Sequence, residues 1–406
     1  MFNIGAQMTQ NSNRTTPASW TRRAMALGLS ATLAACTVIP KGPKAPPPPP
    51  AQTQAPPPAY LPTDTDRHRV ALLVPQSGPN AAAGQALANA STMALLDMNA
   101  SNLRITTYDT STGAAAAASK ALADGNRLIL GPLLGEDAAA VAQVTRASHV
   151  PVVSFSNDYT VAGGDTFIMG TIPAQSITRV VRHAKGLGVT RFAALVPLGL
   201  YGERASTAMV NAVRNSGGQL VGIETYGRDP ASITAAVRKL KAHGAFDAVL
   251  VGDTARAAAQ AAPLLKAGKP TMRILGTELW SGEALLARTP ALRGSLYAAL
   301  SDTHFRQFSD RYRTRYGEAP YRIATMGYDS VLLTLRIARE WQPGRPFPTQ
   351  RLYDKGGFAG TDGIFRFNAN NVIERSLEVR EIKAVPGSTT SNTVPVVSPA
   401  PARFDD

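Results

Sequence analysis

The chain has 406 residues, 44% of them hydrophobic, which is material for two or three domains with real cores and argues against a disordered class. Lys and Arg outnumber Asp and Glu by 42 to 28, but the charges are scattered, with no aromatic-interleaved basic tract or Cys/His finger, so nucleic acid is set aside as a partner. The surplus reads as a solvated basic surface, or as attraction to anionic polymers such as lipid headgroups or acidic wall glycans, and the single cysteine, Cys36, excludes a disulfide within the chain.

Residues 1–35 read as an export signal. Arg22 and Arg23 form a positive n-region, and residues 24–35 form an apolar stretch of about a dozen residues, too short to span a bilayer. TRRAMAL also admits a twin-arginine reading. The stretch ends at Leu33-Ala34-Ala35-Cys36, which resembles a bacterial lipobox: small residues permit cleavage, and the Cys36 thiol can become a thioether to diacylglycerol. Thr37 follows in place of the Asp that retains such lipoproteins in the inner membrane, which by this resemblance implies an outer-membrane anchor facing the periplasm. Residues 36–66 contain PKGPKAPPPPPAQTQAPPPAYLP, a disordered proline-rich tether. At about 3.1 Å per residue, such a stretch reaches on the order of 90 Å when extended.

Residues 69–74 (RVALLV) predict a strand, and PQSGP a turn before an Ala-rich helix over 81–99. The helix's first amides offer an anion site or are capped by Ser77 or Asn80; both readings stay open. A strand over 103–109 and a helix over 112–124 follow. Residues 127–157 then read as apolar run, Gly-Pro turn, helix over 136–147 and a second apolar run, a β-α-β unit whose strands are buried on both faces and therefore parallel. Ligands bind beyond the carboxyl ends of such strands, so loops 131–135 and 154–158 should line a cleft. Beyond a crossing near 171–174 the alternation repeats, with helices over 175–187, 201–216, 232–243 and 254–267 and strands over 192–196, 220–225, 246–251 and 272–275. Helices over 305–316 and 323–341 precede a hairpin with its turn at Asn368–Asn371. The Ser/Thr/Pro-rich residues 385–406 read as a disordered tail.

GPLLGEDAAAVAQVTRASHVPVVSFSND, VALLVPQSGPNAAAGQALANASTMALLDMN, LVPLGLYGERASTAMVNAVRNSGGQLVGIETYG and FSDRYRTRYGEAPYRIATMGYDSVLL resemble successive segments of the type I periplasmic binding proteins. That fold is shared by leucine/isoleucine/valine receptors and by the activator lipoproteins of penicillin-binding proteins. The resemblance spans about residues 69–383. It implies an α/β, two-lobed molecule with two doubly wound parallel sheets joined by a three-strand hinge. Lobe one is expected over 67–172 and 302–342, lobe two over 173–301 and 343–384.

The cleft residues it implies are Gln76, Ser77, Leu134, Gly135, Ser154, Ser156, Asn157, Asp158, Tyr201, Gly202 and Glu278. Tyr201 matches the position of an aromatic ring that covers an amino-acid ligand, and Glu278 that of the carboxylate that takes its ammonium group. The pattern breaks elsewhere: Gly135 stands where amino-acid receptors carry a carboxylate-binding Ser, and Asn157 and Asp158 replace an Ala-Thr pair. An added carboxylate beside a missing hydroxyl disfavours a plain branched-chain amino acid.

The five histidines lie far apart, and HExxH, GxSxG and a complete Walker loop are all missing from the sequence, so no enzyme activity, cofactor or metal is expected. Two function classes remain. In one, the chain is an outer-membrane lipoprotein that activates a peptidoglycan synthase, a penicillin-binding protein; the activators of this type also carry a helical-repeat domain that has no room between Cys36 and His68. In the other, it is a receptor that hands an amino acid or other small polar ligand to an ABC permease. Cys36→Ser is expected to leave the precursor uncleaved at this site and unacylated, and failure of labelled palmitate to mark the wild-type protein would remove the lipid anchor.

Overall fold

Strand β1 (His68–Val74) buries Val70 to Val74 on both of its faces, none of them more than 1% exposed. Val70, Leu72 and Val74 enter one apolar cluster while Ala71 and Leu73 enter another, as alternation along a strand between two helical layers requires. The computed structural model describes residues 66–227 and 229–404; the export signal, Cys36 and nearly all of the proline tract lie outside the described residues. Around β1 the chain runs through α1 (Ala81–Asp97), β2 (Leu103–Asp109), α2 (Ala114–Ala123), β3 (Ile129–Leu130), α3 (Gly135–Thr145), β4 (Val152–Ser154) and β5 (Thr166–Ile168). Their sheet is wholly parallel in the order β2-β1-β3-β4-β5.

The second lobe repeats this order. Helix α4 (Pro173–Gly186) leads into β6 (Arg191–Pro197), α5 (Leu200–Asn215), β7 (Gln219–Tyr226), α6 (Pro230–Ala242), β8 (Ala248–Val251), α7 (Ala255–Lys266), β9 (Arg273–Gly276), α8 (Ala284–Ala287) and β10 (Leu296–Ala299). The parallel strands lie β7-β6-β8-β9-β10, with β6 buried on both faces like β1. The chain then returns to the first lobe, where α9 (Thr303–Tyr316) and α10 (Ala324–Ala338) share a core with α1.

Two expectations need correction. The third passage between lobes falls after residue 375, not at 343. Phe347, Leu352, Phe358, Phe365, Phe367 and Ile373 all join the first lobe's core, where Phe367 meets Phe167 edge-on at 5.3 Å between ring centroids. This segment forms an antiparallel sheet of β11 (Phe358–Gly360), β12 (Gly363–Phe367) and β13 (Ile373–Arg375), with the expected asparagine turn between the last two. Only β14 (Glu378–Glu381) crosses, to pair antiparallel with β10.

The tail is also ordered as far as residue 404. β15 (Lys383–Ala384) pairs with β16 (Asn392–Thr393), and β17 (Val396–Ser398) covers the open edge of β14, so the second sheet is mixed rather than purely parallel. Buried Asn392 donates to the carbonyls of Leu286 (3.0 Å) and Thr289 (2.9 Å). A polar composition reads as disorder, but the tail finds partners in backbone groups left free at the end of α8 and along the open edge of β14.

The helix that follows the first strand of each lobe, α1 or α5, docks on the end of that strand through a glycine. A Cβ at Gly84 would lie 1.8 Å from the Pro75 carbonyl oxygen, and one at Gly202 would lie 1.7 Å from that of Pro197. Gly202, expected in the ligand site, is therefore a packing residue. Gly84→Ala and Gly202→Ala are each expected to destabilise the chain by about 2–3 kcal/mol, measured by urea unfolding, because backbone faces the new methyl group and cannot rotate away.

Candidate functional site

In a sheet ordered like these two, the loops after the first and third strands part in opposite directions and leave a crevice. In the first lobe those loops carry Gln76 and Ser77 after β1 and Leu134 and Gly135 after β3. Gln76 and Ser77 are exposed, and their loop is pinned from below: the Gln76 amide donates to Asp109 Oδ1 (2.9 Å) and the Ser77 amide to Ser111 Oγ (3.0 Å). Neither Asn80, at the cap position of α1, nor Leu134, at that of α3, makes a side-chain cap.

The loop after β4 uses its serines on itself. Ser154 Oγ donates to the Pro132 carbonyl (2.9 Å) and accepts from the Ser156 amide (3.2 Å), while Ser156 Oγ accepts from the Asp158 amide (3.0 Å). Both serines are buried and hold the loop's shape, and Asn157 is exposed. The outcome of that shape is the position of Asp158, whose carboxylate stands over the start of α3. A Cβ on Gly135 would lie 2.9 Å from Asp158 Cβ and 3.0 Å from its Oδ2, so the serine of amino-acid receptors has no room here.

Asp158 also reaches across the crevice. Its Oδ1 accepts from Arg204 Nη2 at 2.7 Å, a residue of α5 in the second lobe, and from Thr160 Oγ1 at 2.7 Å. Burial opposes its ionisation, but the Thr160 hydrogen bonds and the Arg204 guanidinium prevail and hold its carboxyl below the usual range. The Arg204 guanidinium lies 5.4 Å from the centre of the Tyr159 ring as well. Arg204 was invisible as a site residue in the sequence, since one arginine on a helix surface has no distinguishing pattern.

On the facing lobe Tyr201 and Glu278 bond to each other. The Tyr201 hydroxyl donates to Glu278 Oε1 (3.1 Å) and lies 3.0 Å from Thr277 Oγ1, while Ser176 donates to Glu278 Oε2. Gly276 lets the fully buried Trp280 ring lie against the strand end, and the turn between them presents Glu278. Trp280 Nε1 donates to the Asp253 carbonyl (2.9 Å) and the Tyr226 hydroxyl to Asp253 Oδ2 (2.8 Å), adding three residues that the sequence did not single out. Burial pushes the Glu278 carboxyl up, despite the hydrogen bonds from Ser176 and Tyr201, and among the described residues no cation pairs with it. The crevice thus holds a buried carboxyl, Glu278, on one lobe and the Asp158 carboxylate over the start of α3 on the other. No cluster of potential metal ligands occurs among the described residues.

Residues 68–383 match the family model described as periplasmic binding protein. A protein assigned to a branched-chain amino acid ABC transporter of Rhodospirillum rubrum superimposes with a TM-score of 0.68 at 21% identity, covering 78% of this chain and 98% of that one. A leucine-binding protein of Thermotoga maritima gives 0.54 at 19%, covering 82% and 98%. A solute-binding protein of Rhodopseudomonas palustris, in complex with 3,4-dihydroxybenzoic acid, gives 0.59 at 18%, covering 84% and 98%. In sequence, an uncharacterized protein of Rickettsia prowazekii is 29% identical over 173 residues, and the match spans 42% of this chain and 46% of that relative.

The Glu278 environment has a pH consequence. Its folded carboxyl binds a proton more tightly than the unfolded one, so its contribution to stability is full below the ordinary value of 4.5 and is lost as pH rises through the raised folded value. Urea unfolding of wild type and Glu278→Gln is expected to show the wild type losing stability relative to the variant as pH rises above the ordinary carboxyl value of 4.5. A constant difference between the two would remove the buried carboxyl from this account.

Proposed function

Because this chain belongs to the periplasmic binding protein family, we propose that it is a lipid-anchored binding module of the cell envelope that activates a peptidoglycan synthase instead of carrying branched-chain amino acids to a permease. The Asp158–Arg204 pair carries this reading. A ligand's α-carboxylate would need the start of α3, where the Asp158 carboxylate already stands, and two carboxylates cannot share that place without one being protonated or expelled. Expelling Asp158 would also strip Arg204 of a charge-assisted hydrogen bond worth on the order of 1.5 to 3 kcal/mol. A cleft filled in this way suits a scaffold that presents its outer surface to a protein partner. The lipobox at Cys36 and the proline tether support an anchor on the outer membrane, from which the two lobes reach into the periplasm; among the described residues no helix is long and apolar enough to cross a membrane.

One observation favours a second reading. Glu278 is enclosed and, among the described residues, without a cation, which fits a receptor for a ligand that brings an ammonium or amide group but no α-carboxylate. Calorimetry with leucine, isoleucine and valine is expected to give no binding to the wild-type protein. Micromolar binding of any of them, weakened roughly thirty-fold or more in Glu278→Ala, would overturn the activator reading. The immobilised lobes are expected to retain, from detergent extracts of the envelope, a synthase that fluorescent penicillin labels; retention of a permease and no labelled protein would favour the receptor.

A further inference from the structure

Folding gathers on one face cations that are scattered in the sequence. In the second lobe the parallel strands β6, β7, β8, β9 and β10 all start at one edge of the sheet, and α4, α6 and α7 end there. Unpaired carbonyls at helix ends favour cations, and Lys185, Lys241 and Lys266 stand in those last turns. This face is at the pole of the lobe away from the crevice, since Tyr201 and Glu278 follow the carboxyl ends of β6 and β9.

Contacts along this edge tie the cations to neutral backbone. Lys185 Nζ donates to the Gly217 carbonyl (3.0 Å) before β7, Lys269 Nζ to that of Phe246 (2.6 Å) before β8, and Lys241 Nζ to that of Ala267 (3.0 Å) after α7. Lys266 and Arg273 reach the carbonyls of Arg293 and Gly294 before β10. The acids beside them are taken: Asp247 by Arg191 (3.5 Å) and Lys269 (3.6 Å), Glu381 by Lys383 (3.3 Å), and Glu224 of the edge strand β7 by His243 (2.7 Å). A surplus of positive charge remains, and burial followed by repulsion from Arg273 lowers the affinity of Lys266 for its proton. The edge is five strands wide, on the order of 20 Å. The large apolar side chains exposed along it are Leu187 and Val396, neither of them aromatic, which leaves little to enter a lipid surface.

We propose that this face binds the peptide-bearing glycan of the cell wall through that polymer's spaced carboxylates. Lysine ammonium groups are point charges that meet single carboxylates without the fixed fork of an arginine, and a basic surface of this width meets several of them at once. A small anion would occupy only part of it. The family is periplasmic, which places the chain in the compartment of the wall. The inference goes beyond activation of a synthase, because wall binding at this pole stands or falls independently of the protein or ligand that the rest of the molecule engages.

Co-sedimentation with purified wall sacculi tests it, using the full chain with Cys36→Ser, to which no lipid can be attached. This chain is expected to sediment at low salt and to be released as salt rises, because attraction at an exposed face is screened. Lys241→Gln, Lys269→Gln and Lys383→Gln together are expected to weaken binding about tenfold or more. Lys120→Gln, Arg306→Gln and Arg313→Gln together remove the same charge from exposed positions on α2 and α9 of the first lobe, and are expected to leave binding unchanged. Sacculi whose carboxyl groups have been converted to amides are expected to retain no protein. Absence of sedimentation, an equal loss in both triple variants, or undiminished binding to amidated sacculi would overturn the proposal. So would a chain that ignores sacculi but binds phosphatidylglycerol vesicles through Lys241, Lys269 and Lys383, since that result would assign the face to a lipid surface.

Discussion

The two-sided burial of β1 and β6 is the constraint on which the rest of the molecule depends. A strand whose successive side chains enter opposite apolar clusters has no face left for polar chemistry, so contacts with a ligand must come from the loops at its carboxyl end. Helices must lie close on both faces to exclude water. That closeness makes Gly84 and Gly202 necessary, one in each lobe, where the helix backbone rests on the carbonyl that ends the strand. The two lobes answer one packing problem in the same way.

Charge acts at the junctions between the lobes. Asp302, where the chain returns from the second lobe to the first, is held by Arg322 of the first lobe and Arg380 of the second, each at 2.7 Å, and Arg322 also reaches Asp362 at 2.7 Å. Burial opposes the ionisation of Asp302, but the two arginines prevail and lower its pKa. Asp158 and Arg204 make a similar pair across the mouth of the crevice. A fold that permits hinge motion is here tied both at the hinge and at the opening, so any closure or opening must exchange charged hydrogen bonds for others of similar strength.

The end of the chain completes the second lobe and touches the first. β17 pairs with the edge of β14, Arg179 binds Ser398, and Ser376 Oγ donates to the Pro401 carbonyl at 2.5 Å. Phe404 then lies under Arg366 of the small sheet. Residues of low hydrophobicity are ordered because they close an edge and a junction that would otherwise face water.

The sequence by itself determined the alternation of strands and helices and the parallel arrangement of the strands they connect, because strands buried on both faces leave long apolar runs and the helices between them leave Ala-rich ones. It also singled out Tyr201 and Glu278 through a resemblance in their motifs. Only the tertiary structure decided what those residues touch. That Tyr201 donates to Glu278, that Asp158 displaces the hydroxyl for which Gly135 leaves no room, and that Arg204 receives Asp158 all depend on partners many residues apart, for which no local spacing codes. The passage after residue 375 and the ordered tail escaped for a related reason. Whether Phe367 fills one lobe or the other, and whether Val396 finds a free strand edge, is settled by the shape of the surface that is left to cover.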